Sequence, residues 1–336
     1  MSNRIDSPGW ISAFRGFYSP RADVKKLDVV SRWLFSARSV ILIISMQAAM
    51  IAGILAYSAK MFNVLYFALL FAGFVIAHTT SNLTNDYFDF AKGHDTKDSP
   101  RLRYTIHPLA SHITTKRQLA AAILVLVFSG LLIAGYFTLV HGYLVLAFLL
   151  IGALFLLSYD ALPITLKSIG LGEIASFVVW GPFMVGSGYY IITGSLALSP
   201  FLIGIPYGLG VMSILVGKHI DQIKFDKGIG QHTLPVILGE RRARWLNIAI
   251  IAFMYASSAI LVFYDIASVF LLLVFLNVFA LVPTLRILSR EKPVGPPNGY
   301  VGWPLWYHRT SLRHNRMFGW LYILGLAIGA VATAFL

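Results

Sequence analysis

The sequence predicts an all-α membrane protein: nine transmembrane helices around a central cavity open to the cytoplasm, N-terminus inside and C-terminus outside. Three observations predict it. The 336 residues are 57% hydrophobic and only 12% charged, about half the charged share of a soluble domain. Nine segments approach the roughly 20 apolar residues needed to cross a bilayer. If all nine cross, every Lys and Arg of the 27 except Lys60 falls on one face, which the positive-inside rule makes the cytoplasmic one. The net charge of +13 is then mostly a topology signal. No nucleic-acid module or contiguous basic surface accompanies it. There are no cysteines, so disulfides and thiolate metal sites are excluded.

Taken in order, residues 1–35 form a basic arm. Its Trp10, Phe14, Phe17, Tyr18, Trp33 and Phe35 suit the membrane interface. Residues 36–336 form one helical domain, with spans expected at 36–58, 62–88, 118–140, 142–160, 172–193, 198–217, 245–264, 267–288 and 317–336. The first follows too long a basic stretch to be a cleaved signal peptide. The loops after the second and sixth spans are long, basic and each marked by an acidic cluster. The loop at 289–316 is rich in Pro, Gly and aromatics. Loops on the opposite face are short.

Asn82, Asn85, Asp86 and Asp89 close the second span at spacings i, i+3, i+4 and i+7, one stripe of a helix. Carboxylates at the end of an apolar segment are expensive and signal function. Two carboxylates and two amides make a hard oxygen surface of the kind Mg²⁺ takes, usually together with substrate phosphates. Lys92, Lys97, Arg101 and Arg103 follow, as a diphosphate requires. Asp95 and Asp98 can join from the loop.

Asn85-Asp-x-x-Asp89 followed by Lys92-Gly93 and Asp95 resembles the first aspartate-rich motif of the UbiA superfamily of intramembrane prenyltransferases. Its wording is most similar to the branch making the menaquinone precursor from 1,4-dihydroxy-2-naphthoate. The resemblance extends over nearly the whole chain. It implies an all-helical fold, Mg²⁺ dependence and a prenyl diphosphate donor.

Asp221 and Asp226 stand where the second motif of that family is expected, at the start of the loop after span six. The family spaces this pair by four, whereas here the spacing is five, about 140° around an ideal helix. Asp221 is therefore expected as a metal ligand and Asp226 as the less secure one, acting from a loop or beyond a bulge. Gly230-Gln231-His232-Thr233-Leu234 resembles the family's Gly-Lys-Arg-Thr-Leu segment, with Gln231 and His232 replacing its basic pair. Diphosphate contacts then shift to Lys218, Lys224 or Lys227. After span four, Tyr159-Asp160-Ala161-Leu162-Pro163 resembles a Tyr-Ser-x-x-Pro form, and Lys167 is the one basic residue of that loop. Tyr159 fits an interfacial belt or a substrate contact equally. Arg38 fits a snorkelling interfacial residue or an anchor for an acidic acceptor.

The expected activity is Mg²⁺-dependent transfer of a polyprenyl group to an aromatic acceptor at the cell (inner) membrane, with two ions held by Asp86, Asp89, Asp95, Asp221 and Asp226. Lys167 and Tyr159 join Asp86, Asp89 and Asp221 in the chemistry. Asn82, Asn85, Lys92, Arg101, Arg103, Lys218 and Lys224 hold the diphosphate. No obligatory protein partner is evident. The alternatives are another acceptor (4-hydroxybenzoate, a glycerol phosphate lipid, a chlorin or a sugar phosphate) or a transporter. A transporter's acidic sites, however, usually lie near the midplane at broken helices.

Overall fold

The computed structural model describes residues 9–16, 26–95, 99–162 and 164–335. The described residues are helical with no strand. The long helices are α1 (Ser39–Ser58), α2 (Val64–Ala91), α3 (Lys116–His141), α4 (Tyr143–Asp160), α5 (Gly172–Thr193), α6 (Leu198–Gly228), α7 (Glu240–Phe263), α8 (Val269–Leu288) and α9 (Tyr307–Phe335). Eight are long and apolar enough to cross a bilayer, while α4 is a shorter apolar helix over Tyr143–Tyr159.

Three boundaries differ from expectation. Helix α6 runs past residue 217 to Gly228, so the second acidic cluster lies on a helix and not in a loop. Helices α7 and α9 begin at Glu240 and Tyr307, earlier than expected. Apolar composition marks only the lipid-crossing part, and each of these helices continues as a polar extension whose hydrogen bonds stay within the helix.

Helix α6 is the central post. It packs on α5, α7 and α9, and α1 packs on α2, α5 and α9. The main core joins Ile51, Tyr207, Ile251, Met254, Phe318 and Tyr322, all nearly or fully buried. Tyr207 bridges back to α1 by donating to Ile44 O at 2.7 Å. Helix α5 is interrupted by a π-turn at Val179–Phe183 containing Pro182. There Gly181 lies against α6 so closely that an added Cβ would meet Gly208 Cα at 2.6 Å. Proline and π-turns are recognised causes of helix kinks, and this one sits beside Trp180.

The helices Trp10–Arg15 and Val29–Ser36 pack on the loop after α2, with Ala13, Leu27 and Phe35 against Ile106 and Ile113. Phe35 is therefore interior, contrary to its expected interfacial place, because it faces that loop. Trp10 and Phe14 stay exposed. Phe17 and Tyr18 lie outside the described residues.

Candidate active site

The stripe at the end of α2 faces inward as its spacing requires. Asp86 has no exposed surface. Arg101 grips it with both nitrogens, one contact measuring 2.7 Å, and Arg38 reaches it and Asn85. Arg38 occupies a left-handed backbone position (φ 53°) just before α1, an uncommon state for a residue other than glycine. Asp89 accepts from Lys167 Nζ at 3.2 Å and from Asn85 Nδ2 at 3.1 Å, and lies 3.4 Å from His94 Nδ1. Asn82 is anchored by donation to Ala37 O at 2.9 Å.

The loop after α2 folds back over this stripe. Asp95 pairs with His107 Nε2 at 2.9 Å and accepts from Ser99 Oγ at 3.1 Å. His107 Nδ1 accepts from the backbone N–H groups of Leu109 and Ala110, both at 3.1 Å. Nε2 therefore carries the proton that Asp95 receives. Burial, reinforced by the positive charge of Arg101, lowers His107 to about 4, so it is neutral at pH 7. Burial opposes ionisation of Asp95, but the hydrogen bond from His107, and the charge His107 carries once protonated at low pH, outweigh it and hold the carboxyl below its usual range. Burial, together with the charge of Arg38, depresses Arg101 well below its ordinary value.

Ligand atoms of Asp86, Asp95 and His107 lie within 4.8 Å of one another. With Asp89 and the two asparagine amides they form a mainly oxygen-donor set, which fits a hard divalent cation. Lys97 and Asp98, and the side chain of Asp160, lie outside the described residues.

The second cluster divides. Because α6 is continuous, Asp221 and Asp226 point in different directions. Asp226 lines the same cavity as Asp89, Asp95 and Lys167. Asp221 does not. Its carboxylate is fully buried against Lys292 at 2.9 Å and accepts the backbone N–H groups of Trp306 and His308 at 2.8 and 3.0 Å. It thus holds the start of α9, satisfying amides a helix N-terminus leaves open. Of the two, Asp226 faces the cavity and Asp221 does not. The residue in phase with Asp226, four positions earlier, is Gln222, which lines the cavity together with Lys218 one turn before it.

This polar cavity, of about 220 Å³, is also lined by Asn82, Asn85, Arg101 and Tyr159. Lys92, Arg103 and Lys224 are not among its lining residues. Arg103 and Lys224 are exposed, and Lys92 reaches Leu162 O at 3.4 Å. A second, apolar chamber of about 660 Å³ opens between α2, α3, α4 and α5. The two share His78, Ser81, Tyr159, Ser176 and Trp180 in their walls.

At that junction His78 Nδ1 is 2.8 Å from Ser45 Oγ, and Trp180 Nε1 donates to the same oxygen at 3.1 Å. Sequence reading did not reach this trio, since its members come from three helices. Glu173 makes a second contact of this kind: its carboxylate meets His219 Nδ1 at 2.6 Å and the Leu234 N–H at 3.2 Å. That pair ties α5, α6 and the segment around Gln231 together behind Asp226.

A polar, basic and acidic pocket at the ends of apolar helices shares a wall with a greasy chamber, a pairing whose chemistry suits an amphiphile with an anionic head. A family model for the UbiA prenyltransferase family matches residues 46–301, and the chain belongs to that family. It is an integral membrane prenyltransferase. It is 27% identical over 277 residues to the 1,4-dihydroxy-2-naphthoate octaprenyltransferase of Bacillus subtilis, covering 81% of this chain and 84% of that one. The fold matches a UbiA homologue from Archaeoglobus fulgidus bound to DMAPP and Mg²⁺, with TM-score 0.59 and 15% identity over 90% of this chain and 99% of that one. It also matches the apo homologue from Aeropyrum pernix K1, with TM-score 0.64 and 16% identity over 88% and 98%.

Proposed function

We propose that the protein transfers a polyprenyl group from a prenyl diphosphate to 1,4-dihydroxy-2-naphthoate, the prenylation step of menaquinone biosynthesis. The observation carrying this reading is the junction of the two cavities. The polar one offers carboxylates and five cations, Arg15, Arg38, Arg101, Lys167 and Lys218, for a metal-bound diphosphate. The apolar one offers a chamber for the tail. The allylic carbon then sits between them. The relative from Bacillus subtilis supports the acceptor.

Asp86, Asp89, Asp95 and Asp226 are the residues that would hold Mg²⁺, two ions in this reading. When bound, the metal makes the diphosphate a better leaving group. Lys167, Lys218 and Arg101 take up the charge that develops on it. The apolar wall of Phe88, Phe183 and Trp180 excludes water from the allylic cation. Residues through 35 serve as an interfacial arm. With nine crossings the site faces the cytoplasm, α4 spanning despite its short apolar length.

The test is prenyl transfer by the purified protein in detergent, using labelled farnesyl or geranylgeranyl diphosphate, Mg²⁺ and a panel of acceptors. An EDTA-sensitive prenylated naphthoquinol is expected. Product from a different acceptor only would overturn the assigned acceptor.

A further inference from the structure

We propose that His78 presents an Nε2–H that binds the carboxylate of the aromatic acceptor, so that this histidine selects acidic acceptors. The inference rests on the acceptor class proposed above. His78 is 6% exposed and lines both cavities. Ser45 Oγ lies 2.8 Å from His78 Nδ1 and accepts from Trp180 Nε1 at 3.1 Å. Among the described residues the Ser45 hydroxyl has no acceptor other than His78 Nδ1. Buried polar groups are hydrogen-bonded, so the hydroxyl proton goes to Nδ1. The neutral imidazole then carries its own proton on the other nitrogen, which makes Nε2 a donor.

That donor is open to a ligand. Nε2 has no hydrogen-bond partner among the described residues, yet it is not among the buried nitrogens sealed from all accessible space. The ring is held from two sides, by the Ser45 bond and by the Trp180 ring 5.2 Å away. The allylic C1 lies at the junction of the cavities when the diphosphate occupies one and the tail the other. A neutral donor of fixed direction therefore stands in the wall beside which C1 and the acceptor meet.

The acceptor oxygen that fits this donor is a carboxylate. A carboxylate only accepts, which matches an N–H that only donates. A hydrogen bond to a charged acceptor is roughly twice as strong as a neutral one. Arg38 and Lys218 in the wall of the polar cavity keep the surroundings favourable to an anion. A ring hydroxyl suits the position less, because a donor on its oxygen draws electron density from the ring carbon that attacks C1. His78 thus differs from the cations of the polar cavity. They neutralise the anionic head of the donor, whereas one directed N–H fixes the orientation of the acceptor.

The test measures KM for two acceptors, 1,4-dihydroxy-2-naphthoate and 1,4-dihydroxynaphthalene, which lacks the carboxylate. His78→Leu should raise KM for the carboxylated acceptor about tenfold or more, the worth of a hydrogen bond to a charged group. KM for the acceptor without the carboxylate, and KM for the prenyl diphosphate, should not change. His78→Gln offers an amide N–H in place of Nε2–H and should recover most of the loss. Ser45→Ala removes the bond that fixes the tautomer. It should raise KM by a smaller factor, again for the carboxylated acceptor alone, and it carries the test if His78→Leu does not fold. An equal rise for both acceptors in a folded variant, no rise for either, or a raised KM for the donor would overturn the assignment. If wild type prenylates neither acceptor, the proposed function falls and the assignment with it. If wild type prenylates the naphthoate and the variants do not discriminate, only the role of His78 falls.

Discussion

The two acidic clusters look alike as strings and act differently in the fold. The first puts Asn82, Asn85, Asp86 and Asp89 on one stripe of α2: Asn82, Asn85 and Asp89 line the cavity, and Asp86 is buried beside it under Arg101 and Arg38. The second is out of phase by one residue, and α6 sends its two aspartates to different tasks. Asp226 enters the cavity, while Asp221 is consumed in holding Lys292 and the first amides of α9. A carboxylate near a binding site is thus a ligand only when helical phase delivers it there. One residue of register separates chemistry from architecture.

The sharpest contrast is within turnover. Asp86→Ala or Asp89→Ala should each cost about 1,000-fold or more in turnover per folded molecule, since a metal-centred charge interaction is worth several kcal/mol and each 1.4 kcal/mol is tenfold. Labelled-product counting checks this, and substantial residual turnover in either variant would remove that residue from the metal set. In the second cluster, Asp226→Ala should lower turnover about 100-fold with an unchanged melting curve, by the same arithmetic. Asp221→Ala should do the reverse. It leaves Lys292 without its buried partner, a loss of roughly 3 kcal/mol of stability, while turnover of the folded fraction stays within a few-fold. Thermal melts of both variants in one detergent decide between the assignments.

Gln222→Asp tests the phase argument directly. It places a second carboxylate one helical turn from Asp226, and added ligand charge tightens cation binding. Mn²⁺ affinity read by electron paramagnetic resonance should rise by about tenfold. An unchanged affinity would mean that position 222 does not face the metal.

The first cluster also depends on its loop, which pH can loosen. Folded His107 takes a proton only at about 4, against an ordinary 6.5. Its contribution to loop stability is complete above the ordinary value and is lost as pH falls toward the folded one. Asp95, held below its usual range, moves stability the same way at lower pH. Hydrogen exchange over 99–115, corrected for intrinsic rates, should show less protection at pH 5 than at pH 7. His107→Gln should remove the part of this change above about pH 5. The smallest effect belongs to Lys224→Ala: the side chain is exposed, and turnover should stay within about two-fold, as surface substitutions usually do.

The sequence by itself determined the class of fold and the first half of the site. Apolar length locates the helices because lipid offers backbone groups no other partner. Spacings of three and four place Asp86, Asp89 and their asparagines together wherever the helix goes, and Lys167, Arg101 and Lys218 were readable as the cations of polar loops and helix ends. Only the tertiary structure decided what depends on the run of α6 and on contacts between helices. Those are the turn of Asp226 rather than Asp221 toward the cavity, the exposed places of Arg103 and Lys224, the Glu173–His219 tie, and the meeting of His78, Ser45 and Trp180. Helical phase is a local property that spacing encodes. Contacts between residues more than a hundred positions apart, such as Ser45 and Trp180, arise only when separate helices pack, and no local pattern in a single sequence specifies them.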